Sequence, residues 1–226
     1  MNSEKLLSDK YQEKEFHYFE SDRQEMLKYV PQKAYAILDV GCGCGSFSQL
    51  LKKTRPVEVW GIEMNEAAAT IAAQKLDHVM CAPFDSSLNL PSQSFDCIIF
   101  NDVLEHLVDP FAALVYSKTL LQDGGVVIAS IPNVRCYYNI VNLLDHKNWE
   151  YVDYGILDKT HLRFFTYRSI LSTFNRLGYR VECIEGINPL PPRLKFTIYN
   201  WLLFKQIDDM RYIQFAVVAR PCNSNA

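Results

Sequence analysis

Leu38-Asp39-Val40-Gly41-Cys42-Gly43-Cys44-Gly45-Ser46-Phe47 reads as the end of a buried strand, a glycine-rich turn and the start of a helix. Glycine admits positive φ and lets a ligand come close to the backbone. In an open parallel sheet, ligands bind at the carboxyl ends of the strands, where this turn would sit. The spacing is G-x-G-x-G, and Ser46 stands where a dinucleotide fingerprint needs its third glycine. It therefore suits a ligand without a diphosphate, and no G-x-x-x-x-G-K-[ST] phosphate loop occurs in the chain. Glu63 follows Gly41 by 22 positions, at the end of the next apolar run. An acidic residue at about that distance can accept hydrogen bonds from both ribose hydroxyls. Taken alone it would be a charge at a helix N-terminus.

Strand and helix patterns alternate outward from the turn. Tyr35–Val40, Val57–Ile62, Phe95–Phe100 and Val126–Ile131 read as buried strands. Ser46–Lys53, Asn65–Leu76 (capped by Asn65) and Pro110–Leu121 read as helices, and Asp123-Gly124-Gly125 as a turn. Further on, Arg168–Leu177 reads as a helix stopped by Gly178, and Arg180–Ile184 and Tyr212–Ala219 as strands. Tyr11–Tyr29 reads as one or two amphipathic helices, and Pro192–Phe204 as a helix or lid. This alternation predicts a doubly wound α/β fold, a mostly parallel sheet with helices on both faces.

The 226 residues suit one domain: a helical cap over 1–33, a core over 34–132, and substrate-side insertions with the final strands over 133–226. Composition is that of a globular protein, with 49% hydrophobic and 22% charged residues. The net charge of −3 argues against a nucleic-acid binder. It is uneven, with 13 basic against 20 acidic residues up to 150, and 10 against 6 beyond. Seven irregularly spaced cysteines without a C-x-x-C pair indicate no zinc site and no redox motif. Reduced thiols, no signal-like segment and no run long enough to span a bilayer lead us to expect a cytoplasmic protein, monomeric or homodimeric.

The motif LDVGCGCGSF resembles the first motif of class I S-adenosylmethionine-dependent methyltransferases. Ser94–Ile99 is similar to that family's fourth strand, Asn101-Asp102-Val103-Leu104-Glu105-His106-Leu107 to the segment after it, and Leu120–Gly125 with Val126–Ile128 to its turn and fifth strand. Ser130–Arg135 and Gly155–Thr166 resemble a bacterial subgroup of types 11 and 12, whose members often accompany cell-surface polysaccharide or glycosyl-transfer functions. The resemblance implies a seven-stranded sheet with an antiparallel last strand. It also implies S-adenosyl-L-methionine as cofactor and S-adenosyl-L-homocysteine as product.

The family further implies that Gly41, Cys42 and Gly43 approach the methionine part of the cofactor. Asp39 would hold its ammonium group, directly or through water, or else stabilise the turn. Glu63 would bind the ribose, and Met64 would lie against the adenine. In Cys81-Ala82-Pro83-Phe84-Asp85, Phe84 and Asp85 fall near the adenine position, with Asp85 two or three places late. Asn101, Asp102 and Val103 end a strand on the binding edge, and His106 lies one helical turn beyond. Tyr18, in the cluster Phe16-His17-Tyr18-Phe19, is expected to help cover the cofactor. For the acceptor side we single out Asn133, Arg135, Tyr138 and Arg163, whose aromatic, amide and basic groups suit a sugar, a ring or an acidic group. His106 and His161 are the candidate bases for a hydroxyl acceptor; an amine acceptor would need none. No metal is called for. The expected activity is methyl transfer to a small-molecule or glycan-linked acceptor. The alternatives are a non-catalytic cofactor-binding protein and a nucleotide-linked oxidoreductase.

Overall fold

A computed structural model describes residues 11, 14, 19–191, 194–202 and 205–222. Seven strands form one sheet: β1 Ala36–Val40, β2 Glu58–Glu63, β3 His78–Cys81, β4 Phe95–Asn101, β5 Leu121–Pro132, β6 Tyr179–Pro189 and β7 Tyr212–Pro221. Their order is β3-β2-β1-β4-β5-β7-β6. The first five run parallel, and β7 lies antiparallel between β5 and β6. The expected seven-stranded sheet with an antiparallel last strand is therefore present.

The parallel strands are apolar on both faces, as helices on both sides require. Ile37, Val59, Cys97, Ile99 and Ile128 pack on one side. Leu38, Val40, Ile98, Phe100 and Ala129, alternating with them, pack on the other. The chain winds one way from β1 to β3 and the other way through β4 and β5. The switch point lies between the carboxyl ends of β1 and β4, where such a sheet opens a crevice.

The α-helices whose bounds lie within the described residues are α1 Ser46–Thr54, α2 Glu66–Ala72, α3 Pro110–Leu120, α4 Tyr137–Leu144, α5 Tyr167–Arg176 and α6 Leu194–Leu202. Local chemistry sets their starts. The Asn65 carboxamide accepts from Ala68 N at 3.0 Å, and Asp109 accepts from Phe111 N and Ala112 N ahead of Pro110. Thr166 and Ser169 form a capping box on α5. Among the described residues no helix is long and apolar enough to cross a membrane.

Three expectations need correction. Asp123-Gly124-Gly125 is not a turn before the strand. β5 already begins at Leu121, opposite Phe95, and its register jumps to Val126 opposite Cys97, leaving residues 122–125 as a bulge. Part of Tyr11–Tyr29 lies outside the described residues; within the described part Gln24–Tyr29 is a 3-10 helix, preceded by Arg23 at φ 44. α4 lies in a stretch for which no helix was expected.

Candidate functional site

A cavity of about 870 Å3 opens at the carboxyl ends of β1, β2 and β4. The glycine turn forms one wall. Gly41 N and Cys42 N donate to Ile62 O at 2.7 and 3.1 Å, fastening the turn to the end of β2. Gly41 has φ +68, and a Cβ there would lie 2.5 Å from Val103 Cγ2, so its bare backbone lets the segment after β4 close on the turn. Gly43 has φ +53, and a Cβ would lie 2.6 Å from Phe19 O. The N-terminal segment is thus laid against the turn, and Cys44 N donates to the same carbonyl at 2.9 Å.

Glu63 joins turn and strand. Its buried carboxylate accepts from Gly43 N at 2.9 Å, Asn65 N at 2.7 Å and Tyr11 Oη at 3.2 Å. Burial pushes its pKa up, while the Asn65 and Gly43 amides pull it down. A carboxylate offers about four lone-pair sites, so it retains capacity for a further donor. Asp39 is 2% exposed and accepts from Ser48 Oγ at 2.6 Å. Burial raises its pKa to about 7 against the pull of Ser48, and nearby Glu63 adds to the rise. A cation beside it would restore the charged form. The side-chain amide of Asn101 lines the cavity with buried oxygen and nitrogen that have no hydrogen-bond partner, so this wall fits a ligand carrying hydroxyls, an amine or a heterocycle.

Every expected cofactor-side residue except Tyr18 lines this cavity: Asp39, Gly41, Cys42, Gly43, Glu63, Met64, Phe84, Asp85, Asn101, Asp102, Val103 and His106. Tyr18 lies outside the described residues, as do Phe16 and His17. Tyr11 and Phe19, edge to face at 5.4 Å, line the same wall. Phe84 is buried, edge-on to Phe100 at 5.6 Å. The Asp85 carboxylate accepts from Ser87 N at 2.7 Å, closing its own turn. Asp102 stands at φ 56 at the end of β4, a conformation costly for a non-glycine residue. Its carboxylate pairs with Arg23 and accepts from Ser130 Oγ at 3.1 Å and Gln214 Nε2 at 2.6 Å. That network holds it.

The acceptor-side candidates do not gather here. Asn133 is fully buried and structural: Nδ2 donates to Asp209 O and Tyr212 O, and Oδ1 accepts from Arg135 N. Arg135 lines a separate cavity with Arg168, Lys205 and Asp209. Tyr138 is exposed on α4. Arg163 donates to Val108 O at 2.7 Å and so pins a cavity-lining loop from outside.

His106 and His161, 55 residues apart, do meet, with ring centroids 4.6 Å apart. Leu162 N and Arg163 N donate to Glu105 O at 2.8 and 3.1 Å and clamp the two segments together. His106 Nδ1 lies 3.3 Å from Thr160 O and 3.1 Å from Thr160 Oγ1. That hydroxyl donates to Asp158 at 2.7 Å, so Nδ1 carries the proton. His161 Nδ1 likewise donates to Ile156 O at 2.9 Å. Burial, with His161 beside it, lowers the His106 pKa to about 3; burial also lowers that of His161. Both imidazoles are neutral near pH 7, and His106 is a weak base. Glu105, Thr160, Tyr11 and Arg23 were not singled out from sequence. The D-V-L-E-H run contained Glu105, but nothing local signalled its burial.

Comparison with known proteins agrees with this geometry. Residues 11–184 match the family described as a methyltransferase domain. The chain is 30% identical over 188 residues to a ubiquinone biosynthesis O-methyltransferase from Coxiella burnetii, covering 76% of each protein. It is 30% identical over 175 residues to one from Stutzerimonas stutzeri, covering 71% of this chain and 72% of that protein. A SAM-dependent methyltransferase from Archaeoglobus fulgidus superposes with a TM-score of 0.66 at 18% identity, over 96% of this chain and 99% of that one. Another, from Mesorhizobium loti, gives 0.62 at 20% identity, over 88% and 98%. Sequence family, sheet order and a crevice free of any diphosphate fingerprint converge: the chain belongs to the methyltransferase-domain family and is a class I S-adenosylmethionine-dependent methyltransferase.

Proposed function

We propose that the chain O-methylates a hydroxyl of a small, ring-containing acceptor at the cavity wall formed by His106, Leu107 and Val108. The observation that carries this reading is the division of the cavity. Asp39, the turn Gly41–Gly43, Glu63 and Asn101 supply polar groups at the strand ends, and His106 and Thr160 lie beyond the end of β4. The first group holds the cofactor: Asp39 takes the ammonium, Glu63 the ribose hydroxyls, and Met64 and Phe84 flank the adenine. S-adenosylmethionine supplies a methyl group on an electrophilic sulfonium. Tyr11 and Phe19 exclude water and the site aligns the acceptor: its oxygen bonds the methyl carbon as the sulfur–methyl bond breaks, and the hydroxyl proton passes to solvent, His106 being too weak a base to keep it. The O-methyltransferase names of the relatives support oxygen rather than nitrogen as the acceptor atom.

Within this reading, residues 34–132 bind the cofactor, 1–33 cover it and 133–226 shape the acceptor side. The test is formation of S-adenosylhomocysteine with catechols, monophenols, sugars and primary amines supplied separately. Turnover with hydroxylated rings is expected. Turnover confined to amines would overturn the oxygen assignment.

A further inference from the structure

The Glu105 carboxylate is 1% exposed, and no hydrogen-bond donor reaches either of its oxygens. An ionised carboxylate at this position would need a compensating positive charge. The nearest groups do not relieve it. His161 Nε2 lies 4.0 Å from Oε1, beyond hydrogen-bond range. Its proton is on the other nitrogen, held by Ile156 O, so Nε2 turns a lone pair toward the carboxylate. His106 is fixed in the same tautomer by Thr160. One ligand atom from each of Glu105, His106 and His161 lies within 4.8 Å of the others. The three ligand atoms converge at the edge of the large cavity, which His106 lines.

The geometry points to a divalent-metal site: Glu105, His106 and His161 hold a first-row transition-metal ion, zinc by the character of the donors. Two imidazoles and a carboxylate leave a fourth position open, the pattern of catalytic rather than structural zinc. Each imidazole donates its remote N–H to a carbonyl, the outer contact that metal-bound histidines make. Thr160 in turn donates to Asp158, which pairs with Lys14, so the orientation of His106 is fixed through two further residues. Tetrahedral bonds of 2.0–2.2 Å place ligand atoms about 3.4 Å apart. The three ligand atoms, within 4.8 Å of one another, would therefore close by up to about 1.4 Å on binding the ion. His106 and Thr160 border the large cavity, so the ion would sit beside the proposed acceptor wall. Under the function proposed above, its open position would take the acceptor hydroxyl and favour the alkoxide or phenoxide. The site itself does not depend on that reading.

The test is metal uptake by the full chain with neither cofactor nor acceptor present. Protein stripped with a chelator is titrated with cobalt(II), read by visible absorption, and the cobalt is then displaced with zinc. Wild type should take up one equivalent, with the intense bands of low coordination. Glu105→Gln and His161→Ala should weaken uptake at least about a hundredfold while circular dichroism remains native. Wild type that takes up no cobalt or zinc at this stoichiometry overturns the site, whether or not the variants fold. So does uptake that both folded variants retain. Neither failure touches the methyl-transfer reading, because no turnover enters the measurement.

Discussion

Replacing Asp39 by Asn should change both how stability varies with pH and how cofactor binding handles protons. In the folded chain Asp39 has a pKa of about 7, against an ordinary 3.8, because burial disfavours its charge. Between those values the unfolded chain has lost the proton and the folded chain still holds it, so stability falls as pH rises. At 1.36 kcal/mol per pH unit, the span from 3.8 to 7 amounts to roughly 4 kcal/mol. That stability is fully present below pH 3.8 and gone above pH 7. Asn removes the titration. Its carbonyl can still accept from Ser48 Oγ, but its amide hydrogens enter a site 2% exposed. This adds a constant penalty of about 1–3 kcal/mol. Urea unfolding at half-unit steps from pH 4 to 8 should therefore show a decline in wild type that exceeds the variant's by several kcal/mol. If the cofactor's ammonium rests against Asp39, uptake of S-adenosylhomocysteine at pH 6 should expel a proton in wild type and none in the variant. Calorimetry in two buffers of different ionisation heat reads this directly. Parallel stability profiles would refute the assignment of a buried, protonated Asp39.

Gly43→Ala should destabilise the fold by roughly 1–3 kcal/mol, since it combines positive φ with a Cβ 2.6 Å from Phe19 O; thermal unfolding checks this, and an unchanged midpoint would mean the N-terminal segment does not lie on the turn. Gly186→Ala drives a methyl group into the Tyr212 ring across β6 and β7, and should lower stability by about 1–3 kcal/mol while cofactor affinity is retained; a loss of affinity at full stability would contradict it. Arg163→Ala releases Val108 O, and should raise KM for the acceptor severalfold with cofactor affinity unchanged; steady-state kinetics with each substrate varied would show it, and an effect on the cofactor alone would be the opposite of what is expected.

The parts of the site legible in the sequence are those written in contiguous residues. The glycine turn, Glu63 at the end of the next strand and the D-V-L-E-H run each sit on a strand end, and strand ends of one parallel sheet converge by construction. β3 was not legible because His78-Val79-Met80-Cys81 is short and at the sheet edge, with no apolar alternation. α4 was obscured by its position directly after β5, where Tyr138 reads as a ligand contact rather than as part of a helix. The acceptor-side candidates lie apart from the large cavity for a related reason: residue type suggested chemistry, yet Asn133 ties the end of β5 to Asp209 and Tyr212. The approach of His161 to Glu105 and His106 depends on backbone hydrogen bonds across more than fifty residues. No local periodicity encodes such a contact, and the same holds for Arg23 against Asp102.

The most direct measurement is calorimetric titration of S-adenosylhomocysteine into wild type and Glu63→Gln at neutral pH. The substitution keeps the shape of the side chain and removes the charge that Gly43 N, Asn65 N and the ribose hydroxyls would share. The account predicts one site per chain in wild type. It predicts affinity weaker by ten- to a hundredfold in the variant, about 1.5–3 kcal/mol, the scale of hydrogen bonds to a charged group, with circular dichroism unchanged. Equal affinity in the two folded proteins would contradict it, and the cofactor would have to lie elsewhere than over the ends of β1 and β2.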